Sequence, residues 1–101
     1  MKNYVRKGID GLGNITYYDK DGEFHRTDGP ANEWLSGTKC WCINGKLHRI
    51  DGPARIWFDG AEEWWVDDFK LDETQIEDLQ KMRKIFNDDE LLSFLILEGR
   101  L

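Results

Sequence analysis

Two stretches of the chain alternate apolar and polar residues in short, aromatic-rich runs: "ANEWL" (31–35) and "ARIWF" (54–58). Each is followed by a turn pair, Ser36-Gly37 or Asp59-Gly60, and by a returning run, "TKCWCI" (38–43) or "AEEWWV" (61–66). Short alternating runs punctuated this way predict antiparallel hairpins. Asn44-Gly45 predicts a further tight turn, because both residues tolerate the positive φ that two-residue hairpin loops need. After residue 71 the period changes. Ile76, Leu79, Met82, Ile85 and Phe86 fall on one helical face, opened by a capping box from Asp72 with Gln75, or a slightly later one from Thr74 with Glu77. A second short helix is predicted from a cap at Asn87, with Glu90 at its third position, through the apolar run "LLSFLIL" (91–97) to a stop at Gly99.

The runs belong to a longer repetition. "GEFHRTDGPANEWLSGTKCWCIN" (22–44) and "GKLHRIDGPARIWFDGAEEWWVD" (45–67) share ten of 23 positions. Agreement at that level, at one offset and without gaps, marks an internal repeat. A truncated unit over 9–21, beginning "IDGLGN", precedes the two full ones. In "HRxDGPA" the residues held in common are those that turn a chain. Asp accepts local N–H bonds, Gly permits a bend, and Pro fixes φ and removes a donor. Arg26 and Asp28, like Arg49 and Asp51, are two residues apart and in extended chain can pair on one side.

These residues carry a family resemblance. Gly22, His25, Arg26, Asp28, Gly29, Pro30 and Ala31, matched by Gly45, His48, Arg49, Asp51, Gly52, Pro53 and Ala54, resemble the "G-K-x-H-R-x-D-G-P-A" repeats of bacteriophage and large-virus proteins, relatives of the MORN-type repeats. The resemblance covers roughly residues 9–70. It implies successive β-hairpins laid into an elongated sheet, with no enzymatic activity and no shared ligand. The chain departs from the pattern in having few units and in ending in helices. The expected fold is therefore mainly β with C-terminal α: a repeat-built antiparallel hairpin sheet over 1–71, capped by two short helices over 72–101, forming one domain. An array needs its open ends covered, which assigns the helices their role.

Composition narrows the function. A chain of 101 residues with five Trp has the means to bury a small core and is not disordered. No apolar run follows "MKNYVRKG", and no stretch reaches the length of a membrane span, so neither a signal peptide nor a membrane anchor is expected. Two cysteines, two residues apart, suit a reducing cytosol better than a disulfide framework. The net charge of −6 is unevenly placed. Residues 59–78, "DGAEEWWVDDFKLDETQIED", hold nine acids and one Lys. Direct nucleic-acid binding, which favours a basic stripe, is not expected.

Candidate chemistry is sparse. His25, Cys40, Cys42 and His48 are the metal-type residues, but their spacing does not match zinc knuckles, and both histidines belong to the repeat. No metal and no cofactor is expected. No residue pattern supplies a nucleophile with a base and an oxyanion site, so the chain is not expected to be an enzyme. The acidic block is the leading site. Glu62, Glu63, Asp67, Asp68, Asp72 and Glu73 flank Trp64 and Trp65, and acids beside indoles steer and anchor a basic protein partner. With the phage resemblance, the expectation is a small cytoplasmic binding protein (in the host cell, if phage-encoded). It would block a host protein with a basic surface, as an anti-defence inhibitor of a nuclease or of a CRISPR-type nucleic-acid-handling complex. The alternative is a structural, self-assembling accessory protein, a homodimer through Leu91, Leu92 and Leu95 of the apolar helix.

Overall fold

The computed structural model describes residues 4–86. The second helix expected from Asn87, and with it the contact set Leu91, Leu92 and Leu95, lies outside the described residues. Within them the chain runs β1 (Arg6–Ile9), β2 (Ile15–Tyr18), β3 (Asn32–Glu33), β4 (Lys39–Cys40), β5 (Cys42–Ile43), β6 (Lys46–Leu47), β7 (Arg55–Ile56), β8 (Glu62–Glu63), β9 (Trp65–Val66), β10 (Phe69–Lys70) and α1 (Glu73–Arg83). The fold is mainly antiparallel β-sheet followed by one helix among the described residues. A six-stranded sheet has the order β1-β2-β3-β4-β7-β8, and β5-β6 and β9-β10 form separate two-stranded ladders. No described helix is long and apolar enough to cross a membrane.

The hairpins form where the sequence places them, but their return runs do not stay in one sheet. "TKCWCI" divides at Trp41 into β4 and β5, and "AEEWWV" divides at Trp64 into β8 and β9. At Trp41 the backbone changes partners: its N–H donates to Ala54 O at 2.7 Å, while its carbonyl accepts from His48 N–H at 3.0 Å. A strand that bonds to one sheet on each side of a single residue must bend there. Trp64 O accepts from Leu71 N–H at 2.8 Å, and Tyr17 O accepts from His25 N–H at 2.9 Å.

Four loops share one bond pattern. In 10–14, 19–23, 34–38 and 57–61 the first N–H donates to the last carbonyl, and the fourth residue's N–H returns to the first carbonyl. That fourth residue is Gly13, Gly22, Gly37 or Gly60, each at a left-handed φ between 81° and 103°. This is the three-residue hairpin loop, a turn closed by a left-handed bulge residue that glycine adopts without a Cβ penalty. Leu35 and Phe58, read from the sequence as the ends of strands, lie inside such loops. The Asn44-Gly45 turn has both residues left-handed, as expected, and Asp67-Asp68 repeats that geometry at φ 50° and 69°.

Two small cores hold the molecule. Ala31, Cys40 and Cys42 cluster with Leu47 against them. Ile50, Val66, Leu71 and Leu79 form the other, with Trp64, Ile76, Met82 and Phe86 packed on it. Helix α1 starts at the earlier of the two expected boxes. Asp72 accepts from Gln75 N–H, and the Gln75 side chain accepts from Asp72 N–H. Ile85, expected on the apolar face, is 76% exposed because the helix has already ended at Arg83.

Candidate protein-interaction surface

The two "HRxDGPA" segments have the same side-chain bonds. Arg26 Nε donates to Asp28 at 2.8 Å and Arg49 Nε to Asp51 at 3.0 Å. Their Nη1 atoms donate to the carbonyls of Pro30 and Pro53. Each guanidinium also lies over an aromatic ring of the preceding hairpin: Arg26 is 4.2 Å from the Tyr17 centroid and Arg49 is 3.9 Å from that of Trp41. Gly29 and Gly52 are not left-handed. The glycines are needed because a Cβ would come within 2.9 Å of Arg26 Cζ or 2.7 Å of Arg49 Cζ. The bend read from the sequence is present, but its glycine admits a guanidinium rather than an unusual φ.

The next aromatic in this series, Trp64, has no arginine over it among the described residues. Leu71 and Asp72 stand where His-Arg would recur, 23 positions after His48 and Arg49. Leu71 is buried in the core and Asp72 caps α1, so the helix covers Trp64 instead.

The histidines and cysteines are occupied by the fold. His25 Nδ1 accepts the Asn44 N–H at 3.0 Å, and His48 Nδ1 accepts the Asp67 N–H at 3.1 Å. Burial lowers the His48 pKa below its ordinary value, against the opposing charge of Asp67. Burial first, then the neighbouring Cys40 and Asp68, push the Cys42 thiol up to about 12. A thiol held that high is protonated at neutral pH and is a poor nucleophile and metal ligand. Among the described residues these four do not converge into a metal-type cluster. The acidic oxygens of Asp19, Asp21 and Glu23 do lie within 4.8 Å of one another. There Asp19 Oδ1 accepts the N–H groups of Asp21 and Glu23, which closes the 19–23 loop. A groove of about 680 Å³ runs between the two Asp-Gly-Pro bends, lined by Arg26, Trp41, His48 and Arg49 among others. Both of its guanidinium groups are held by the bonds described above.

The acidic block is divided by the fold. Glu63 lies at the centre of a network: it pairs with Arg55 at 3.2 Å and Lys70 at 4.0 Å, and accepts the indole N–H of Trp57 and of Trp65. Burial raises the Glu63 pKa, but the two indole bonds and the two cations outweigh it and hold the carboxyl below its usual value. Trp64 packs on the core against α1, while Trp65 is held on the Glu63 side. Asp67 is 3.4 Å from Lys46, and Asp68 accepts the Leu47 N–H. Asp59, Glu62, Asp68, Asp72 and Glu73 are exposed.

A second surface was not read from the sequence. Leu12, Leu35 and Phe58 are 74%, 73% and 69% exposed, one on each of the loops 10–14, 34–38 and 57–61. These loops close the hairpins β1-β2, β3-β4 and β7-β8, so they sit side by side at one end of the six-stranded sheet. The Asn14 side chain accepts the Leu35 N–H at 2.7 Å, and the Thr38 hydroxyl accepts the Phe58 N–H at 3.1 Å. The available signal was local: an apolar residue inside the turn of "DGLGN", "WLSGT" and "WFDGA", where turn chemistry favours polar residues. Comparison with protein-family models, with curated proteins and with solved structures finds no match, so the arrangement of these residues is what bears on function.

Proposed function

We propose that the protein is a small, non-enzymatic binding module of the phage type that blocks a basic surface of a host protein. The observation that carries this reading is the acidic stretch 59–73: Asp59, Glu62, Asp68, Asp72 and Glu73 are exposed there, and Lys70 is the lone cation. A field of one sign speeds encounter with an oppositely charged partner and disfavours nucleic acid. A basic partner surface of this kind is the sort that binds phosphate, which favours a host nuclease or CRISPR-type complex in the cytoplasm as the target and an anti-defence role. We further propose that the sheet is repeat-built and MORN-like. The support is the recurrence, at a 23-residue shift, of the Arg-Asp, Arg-Pro carbonyl and His-backbone contacts, with each arginine again over an aromatic ring, Tyr17 and then Trp41.

A pull-down of the tagged chain from bacterial lysate, beside a Glu62→Lys/Glu73→Lys variant, tests the reading. A captured protein that is lost with the variant supports it. Equal capture by both proteins, or capture of nothing, overturns it. The alternative, self-assembly through the apolar 91–97 stretch, predicts an oligomer that Leu92→Ser or Leu95→Ser splits.

A further inference from the structure

The row of exposed apolar side chains at Leu12, Leu35 and Phe58 has no structural role among the described contacts. Large apolar groups about 70% exposed on three loops that adjoin across the sheet are unusual for a surface whose other turns use Asp, Asn and Gly. The loops are also held in register rather than left independent. The Asn14-Leu35 and Thr38-Phe58 bonds join each loop to the next, and Leu35 Cδ1 lies 3.8 Å from where a Cβ on Gly13 would be. Strands stack about 4.8 Å apart, and two separate each loop from its neighbour, so the row is about 20 Å long. Trp34 and Trp57, 43% and 38% exposed, stand at the base of the second and third loops.

The charges within the row are of one sign: loops 10–14, 34–38 and 57–61 contain Asp10 and Asp59 and no Lys or Arg. Of the charges that directly follow the loops, exposed Glu62 adds to this and exposed Lys39 opposes it, while Glu63 is already paired with Arg55. Asp10 is kept ionised by its bonds to the Asn14 side chain and the Leu12 and Asn14 N–H groups, which lower its pKa. We infer that the Leu12–Leu35–Phe58 loop edge is a docking surface for a protein segment that presents apolar side chains flanked by Lys or Arg. The apolar row supplies the desolvated anchor and the acids select the partner's charge. This rests on the reading of the protein as a binding module, and it moves the anchor from the acidic block to the loops beside it.

The probe is an amphipathic Leu/Lys peptide of about 13 residues, the helix length that spans 20 Å at 1.5 Å per residue. It is titrated into the isotope-labelled full chain beside Ser/Lys and Leu/Glu counterparts. Expected are amide shifts confined to 10–14, 34–38 and 57–61 with the Leu/Lys peptide, and no binding of either counterpart at the same concentration. Leu12→Ser/Leu35→Ser/Phe58→Ser should weaken binding by about 30-fold or more. If that variant melts early, Leu35→Ser alone should weaken it by about fivefold. Equal binding of the Ser/Lys peptide, shifts outside the loops, or an unchanged variant overturns the inference. So does a concentration-dependent dimer that the triple variant abolishes, since a second copy would then be the occupant. Photo-crosslinkers at Leu35 and at Glu73 separate this inference from the function it rests on. A lysate protein joined at Glu73 and never at Leu35 keeps the binding function and overturns the loop edge. Peptide binding at the loops with no lysate partner keeps the loop edge and overturns the function.

Discussion

Replacing Gly52 by alanine tests the account of the "HRxDGPA" bend most directly. The new methyl group would lie 2.7 Å from Arg49 Cζ and 3.0 Å from Nε and Nη1, so the guanidinium must leave. It would give up the bond to the Pro53 carbonyl, about 1.5–3 kcal/mol for a charged donor, and the Trp41 face, about 0.5–1 kcal/mol. The Asp51 pair adds little, about 0–1 kcal/mol, because Asp51 is solvent-facing. These losses come to about 2–5 kcal/mol. Set against the gain of about 0.4–1 kcal/mol that alanine brings through the unfolded chain, Gly52→Ala should destabilise by about 1–4 kcal/mol, which lowers the melting temperature of a domain this size by about 5–30 °C. In an Arg49→Ala background the methyl group meets no guanidinium. Since the Gly52 φ is not left-handed, alanine there should instead stabilise by about 0.4–1 kcal/mol through the unfolded chain. Urea unfolding of the four proteins in this cycle measures the coupling, expected at about 3 kcal/mol. A coupling below about 0.5 kcal/mol, the level seen between independent sites, refutes the reasoning.

Three further outcomes are expected. The His48 pKa is lowered in the folded state, so the unfolded chain takes up the proton first. Stability should be full above pH 6.5 and fall as pH drops below it, and His48→Asn, which keeps an acceptor for the Asp67 N–H, should remove that part of the slope in a pH series of urea midpoints. Cys42 should react with a disulfide reagent at pH 8 far more slowly in the native chain than in urea; equal rates would contradict a buried thiol whose pKa is about 12. Leu79→Ala, at a side chain 2% exposed in the core under α1, should cost about 2–4 kcal/mol by urea unfolding, while Asp72→Ala should cost about 1 kcal/mol through the lost cap.

Much of the molecule was legible from residues near one another in the chain. The hairpins, the Asn44-Gly45 turn, the Arg-Asp pairs and the start of α1 follow from alternation, turn chemistry and capping, which act over two to five residues. The 23-residue repetition also marked Gly29 and Gly52 as special, but their reason depends on where Arg26 and Arg49 place their guanidinium groups. The acidic block read as one patch because its residues are consecutive. In the fold a turn, two ladders and a helix cap divide them: Glu63 faces Arg55 and two indoles, Asp68 a backbone amide, and Asp72 the helix start. What tertiary structure alone decided is adjacency. Leu12, Leu35 and Phe58 are more than 20 positions apart in sequence and become neighbours only because antiparallel pairing brings three hairpin loops to the same end of one sheet. Local chemistry determines that each loop forms; the order of strands, set by bonds between distant backbones, determines which loops share a surface.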